Sequence, residues 1–155
     1  MSLWKQFEKS NCSLDNKPIR IRIEKGIHKR LREKYLSLIK YLRNKYVFPY
    51  RLNIYVVNKT KVKLMNGGMS FGKFHWYLSK DSYIVIPSKI DKARLDGYTL
   101  EDEYFAILGS LIHEITHYYQ MCLDLKQSDK ASEKQADYYR FKILEEWQDS
   151  FDSDN

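Results

Sequence analysis

Two histidines and a glutamate carry the most reactive chemistry in this 155-residue chain. They stand together in Leu111-Ile112-His113-Glu114-Ile115-Thr116-His117. A spacing of four is about one helical turn, so on a helix the rings of His113 and His117 lie on one face and can converge on one metal ion. Glu114 between them can reach a water on that ion and act as its base. This is the arrangement that hydrolysis at a zinc ion requires.

The surrounding residues agree with a helix that has one working side. With His113 at the origin and 100° per residue, Tyr104, Leu108, Leu111, Ile115, Tyr118 and Cys122 gather on the opposite side. Ser110, Glu114, His117 and Met121 share the histidine side. The competing reading makes the two histidines ordinary surface residues of an amphipathic helix.

A catalytic zinc takes three protein ligands and keeps one position for water. No histidine follows His117, so a downstream histidine cannot be the third ligand. In Glu133-Lys134-Gln135-Ala136-Asp137, Glu133 and Asp137 are again four apart. Glu133 can complete the metal shell, and Asp137 can accept a hydrogen bond from the outer nitrogen of a ligand histidine, fixing its tautomer. Ala136 leaves room for close packing of two helices. The alternative is a pair of solvated acids near a helix N-terminus, where acids are favoured in any case.

The HExxH of residues 113–117, followed by Glu133-Lys134-Gln135-Ala136-Asp137, resembles the gluzincin metallopeptidases, and the short chain resembles the compact single-domain minigluzincins. The resemblance covers roughly residues 99–149. It implies one zinc per chain held by His113, His117 and Glu133, Glu114 as general base and then proton donor, and peptide hydrolysis as the reaction. It also implies a twisted sheet over the active-site helix, with an edge strand that binds extended substrate. Residues 70–78 occupy the matching place, making Phe74, His75 and Trp76 candidate substrate contacts. A strand histidine is more often structural, which is the competing reading of His75. A further donor to the oxyanion stays unassigned; Tyr138, Tyr139 and Arg140 are near Glu133 in sequence.

Around these residues the pattern predicts strand, helix, three strands and two helices. Ile19, Ile21 and Ile23 alternate with Arg20, Arg22 and Glu24, which predicts a strand that Gly26 ends. From Ile27 to about Val47, Leu31, Tyr35, Leu36, Leu38, Ile39, Leu42 and Tyr46 recur at helical spacing, with bases on the other side. Leu52, Ile54 and Val56 predict a second strand. Asn66-Gly67-Gly68 signals a turn into a third over Ser70–Leu78, and Tyr83–Ile86 is a short fourth. Ser88–Thr99 reads as a loop. Thr99 then caps a long helix to about Leu125, with Asp102 at its third position. After the polar break of residues 127–130, a last helix runs from about Ala131 to Asp149, with Ser132 as a candidate cap.

The expected fold is therefore α+β: a small mixed sheet of about four strands, a basic N-terminal helix, the HExxH helix and a glutamate-bearing C-terminal helix. The expected organisation is an extension or capping segment at 1–16, one zincin-like domain at 17–149 and an acidic tail at 150–155.

Composition sets the outer limits. Hydrophobic residues form 43%, charged residues 30% and aromatic residues 15% of the chain, too rich a mixture for disorder. No apolar run approaches a membrane span, and the N-terminal Met1-Ser2-Leu3-Trp4-Lys5 lacks a signal-peptide core, so a cytoplasmic protein with no membrane partner is expected. Cys12 and Cys122 are in no metal or redox spacing and read as free thiols. The net charge of +7 is concentrated at residues 17–51, where bases outnumber acids by 10. A basic face of this kind suits nucleic acid, or it is simply a solvated helix surface. The competing function is thus a nucleic-acid-associated or protein-interaction module with little or no peptidase activity, against a leading reading in which the partner is a peptide or protein substrate.

Overall fold

Alternation of apolar and polar residues places one face of the strands at Ile19–Ile23 and Leu52–Val57 in a common core. The computed structural model describes residues 3–7, 19–64, 66–76, 81–90, 92–95 and 97–153. Strand β1 (Ile19–Ile23) is followed by helix α1 (Lys29–Lys45) and strand β2 (Leu52–Val57). β1 and β2 are parallel, with Ile21 opposite Ile54, as a helical crossover between neighbouring strands requires. Leu31, Tyr35, Leu38, Ile39 and Leu42 of α1 are all buried, whereas Leu36, expected on the same stripe, is exposed.

The third expected strand is divided. Residues 69–70 form β4 (Met69–Ser70), which pairs antiparallel with β3 (Val62–Lys63), a strand the sequence reading had left out. Gly67, at φ +87°, turns the chain between them. Residues 73–75 form β5 (Lys73–His75), antiparallel to β6 (Ser82–Pro87). The expected continuation over Tyr77 and Leu78 lies outside the described residues, as do Asp91 and Asp96 of the expected loop. That loop holds a 3-10 turn over Lys92–Leu95. The four-stranded mixed sheet has the order β1-β2-β6-β5, so β5 is its edge.

Helix α2 (Leu100–Cys122) begins with a reciprocal cap: the Asp102 amide donates to Thr99 Oγ1 and the Thr99 amide donates to Asp102 Oδ2, both at 3.1 Å. Helix α3 (Asp129–Ser153) starts two residues before the expected Ala131, because the cap is Ser128. Ser128 Oγ accepts from the Ala131 amide at 3.1 Å, and the Ser132 hydroxyl is engaged elsewhere. α3 reaches through the expected acidic tail to residue 153.

The first residues join the core. A 3-10 turn over Leu3–Lys5 buries Trp4 to 1% exposure, and its indole Nε1–H donates to Thr116 Oγ1 at 3.1 Å. The Leu3 amide donates to Tyr139 Oη at 3.0 Å. The remainder of the 8–18 lead-in, with Cys12 and Pro18, lies outside the described residues. The described residues include no helix long and apolar enough to cross a membrane.

Candidate metal centre

The helix phase places His113 and His117 on the side of α2 that faces α3, and close packing of the two helices brings α3 within reach. Two small residues permit that approach. Ala136 of α3 is fully buried. A Cβ on Gly109 of α2 would stand 3.0 Å from Arg140 Cγ and 3.2 Å from its Cδ, so a side chain there would press on the Arg140 stem.

The result is a convergence of three ligand groups. His113 Nε2 lies 3.0 Å from Glu133 Oε2, and His117 Nε2 lies 2.9 Å from Glu133 Oε1. The two Nε2 atoms are 3.2 Å apart. The imidazoles are largely covered, at 11% and 18% side-chain exposure, while Glu133 is open to solvent at 59%. His113, His117 and Glu133 form a group that can hold a metal ion.

The outer nitrogens decide what the inner ones offer. Asp137, as a carboxylate, only accepts, so the 3.0 Å contact from His113 Nδ1 to its Oδ1 puts the ring proton on Nδ1. For His117 the outer partner is Gln120 Oε1 at 2.8 Å. The orientation of that amide is fixed: Gln120 Nε2 donates to the Ser132 carbonyl at 3.0 Å and to Gln135 Oε1 at 2.8 Å, and Ser132 Oγ donates to Gln120 Oε1 at 2.7 Å. His117 Nδ1 must therefore also carry the proton. Both Nε2 atoms then present lone pairs to each other and to the Glu133 carboxylate. Proton uptake at His113 would relieve this, but burial and the neighbouring His117 lower its pKa. A cation in the centre satisfies all three groups at once. Three nitrogen and oxygen ligands with no cysteine suit zinc among other divalent ions.

Glu114 is held back from this group by its place on the helix. Its side chain lies against Gly72, where a Cβ would meet Glu114 Cγ at 3.3 Å and Ile86 Cδ1 at 3.1 Å. Burial pushes its pKa up to about 7, and the charge of Arg140 opposes the rise.

The strand contacts divide by face. Phe74 turns inward against Tyr118, ring centroids 6.3 Å apart. His75 is on the other face, stacked on Tyr83 at 5.1 Å, which supports its structural reading. Trp76, half exposed, lines an open cavity of about 890 Å³ with Gln120, Met121 and Ser132. Of the residues near Glu133, Tyr139 is buried with Leu3 as its partner, and Tyr138 is exposed beneath Lys142. His28 is exposed, with Nδ1 3.1 Å from Tyr104 Oη. Cys122 is a free thiol.

Sequence reasoning did not single out Gln120, and it read Ser132 as a helix cap rather than as a support for the ligand group. Gln120 has a readable signal, since it follows His117 by three residues on the same helix face. Ser132 has none, because its role depends on how α3 docks. Compared with known proteins, the chain matches no family model, no curated protein and no solved structure.

Proposed function

We propose that the protein is a zinc-dependent metallopeptidase of the gluzincin kind, hydrolysing peptide bonds with Glu114 as general base. The observation that carries this reading is the set of three proton-free ligand atoms on two helices, each histidine held in its Nδ1–H tautomer by an acceptor of its own. A zinc ion held there supplies Lewis acidity, which polarises a carbonyl and acidifies water. Asp137 and Gln120 keep the two rings aimed inward. Glu114 stands next to the ligands without joining them, beside the backbone of Gly72 at the approach to edge strand β5. It takes a proton from the attacking water and returns it to the leaving amine. The exposed edge of β5 offers backbone groups that an extended peptide can pair with.

The basic segment adds less. Arg30 and Lys34 pair with Glu101, Lys45 pairs with Glu146, Arg32 donates to the Glu24 carbonyl and Arg43 donates to the Ile19 carbonyl. These contacts favour a solvated, self-paired helix face over a nucleic-acid surface.

The test is metal content followed by cleavage. The protein should bind one zinc per chain, and a mixed peptide library should be cut by the zinc-loaded protein and spared after chelation. A protein that takes up no zinc, or takes it up and cuts no peptide, removes this reading.

A further inference from the structure

Strand β5 and helix α2 run in the same direction, which gives the cleft a polarity. Phe71, before β5, lines a cavity of about 140 Å³ with Glu103, Ala106 and Ser110 of α2. Gly72 stands against Glu114, and Phe74 meets Tyr118. Trp76, after β5, shares its cavity with Gln120 and Met121. A peptide that adds to the β5 edge pairs better antiparallel than parallel. Its N-terminal part then lies toward Trp76, and the part beyond the scissile bond lies toward Phe71 and the smaller cavity.

Two bases and one acid line that smaller cavity. Arg140 of α3 lines it one helical turn below Asp137, and exposed Lys89 lines it as well. Arg140 Nε is buried and makes no hydrogen bond. The guanidinium is close enough to act on both His113 and Glu114 electrostatically. Glu103, the acid lining the cavity, already has an interaction of its own. Ser110, which lines the cavity, lies one turn before His113 on the same face of α2, so the cavity is offset from the ligand group by about one helical turn.

We infer that Arg140 is a specificity-determining residue that binds a substrate carboxylate on the C-terminal side of the scissile bond. The inference rests on the peptidase reading above and names its substrate class. The carboxylate has two possible sources, an Asp or Glu side chain directly after the cut bond or the free C-terminus of a short substrate. The guanidinium geometry accepts either through paired N–H donors.

The experiment uses the zinc-loaded full chain and matched peptides cut at one bond. One series places Asp, Glu, Asn, Gln, Lys or Leu after that bond in C-terminally amidated peptides; the other compares free and amidated C-termini. A charged hydrogen bond of this kind predicts a kcat/KM advantage of roughly 10- to 100-fold for the carboxylate member of at least one series. Which series shows it identifies the source. Arg140→Glu should invert the ratio in the first series toward Lys, an outcome that a merely structural Arg140 would not produce. A second readout needs no turnover. The Arg140 Nε–H resonance of the chelated protein should shift on titration with N-acetyl-aspartate amide and stay unmoved with N-acetyl-asparagine amide. Cleavage with no carboxylate preference in either series overturns this inference and leaves the peptidase reading intact. Absence of any cleavage overturns both. If Arg140→Glu does not fold, the wild-type ratios alone decide.

Discussion

The two sides of helix α2 solve different problems with the same twenty-three residues. One side carries Leu108, Leu111, Ile112, Ile115, Tyr118 and Tyr119, all exposed by 1% or less and packed into the core with Trp4 and Phe48. Its contribution is apolar area, which is non-directional and indifferent to which atoms touch. The other side carries His113, Glu114 and His117, whose value depends on where individual protons sit. There, named partners on α3 and one on α2 itself fix the rings. The difference teaches that the core side determines whether the helix is placed, and the ligand side determines what the placed helix can hold. Substitutions should therefore separate cleanly into losses of stability and losses of metal chemistry.

The largest expected effect tests the ligand side alone. Glu114→Gln keeps the volume but cannot accept a proton, so cleavage should fall by roughly 10²- to 10⁴-fold. Zinc content and thermal unfolding should match the wild type, measured on the same preparation. Equal rates at equal zinc occupancy would leave Glu114 with no catalytic duty.

Next in size is a change confined to the core side. Leu111→Ala removes a fully buried side chain two residues from His113, and should cost about 2–5 kcal/mol in denaturant unfolding. The folded fraction should still bind zinc with wild-type stoichiometry. Loss of zinc from fully folded protein would mean that the two sides are not separable.

Intermediate effects belong to the groups behind the ligands. Glu133→Ala removes one of three ligands, so added zinc should no longer raise the unfolding temperature as it does for the wild type. Asp137→Ala should retain zinc but weaken it by roughly 10- to 100-fold, read by competition with a chelator of known affinity. An Asp137→Ala protein that binds zinc as tightly as the wild type would show that the His113 tautomer is fixed by something other than this 3.0 Å contact.

What the sequence made legible follows the same division. Period-2 and period-3.6 patterns located β1, β2, α1 and α2, because each buries a single stripe, whereas β6 was located as a short apolar run, as suits a strand inside the sheet. The ligand set was legible because its spacing of four is a property of one helix at a time. Trp4 was not, since its partner Thr116 is 112 residues away and the segment around it has no period to read. The strand expected over 70–78 was broken by Gly72, whose backbone passes too close to Glu114 and Ile86 for a side chain. That closeness is a tertiary fact with no local trace. Gly109 was invisible for the same reason, and Arg140 stood out only by its nearness to Glu133 in sequence, as the meaning of both comes from the docking of α3.

Thr116 gives the smallest effect and the finest test, because it sits inside the HExxH motif yet belongs to the core side. It is fully buried; its hydroxyl accepts the Trp4 Nε1–H at 3.1 Å and donates to the Ile112 carbonyl at 2.9 Å. Thr116→Val preserves shape and removes the acceptor, leaving a buried indole N–H without a partner. Such a loss costs about 1–3 kcal/mol. Its neighbour His117 should feel nothing, since that ring is held through its Nδ1 by Gln120 and not by the Thr116 hydroxyl, which bonds Trp4 and the Ile112 carbonyl. The measurement is a pair of numbers from one protein: unfolding free energy in denaturant without metal, and zinc affinity by chelator competition. A modest drop in the first with no change in the second keeps the two sides independent to within one residue of a ligand. A parallel loss of zinc affinity would instead make the Trp4 contact a support for the metal group.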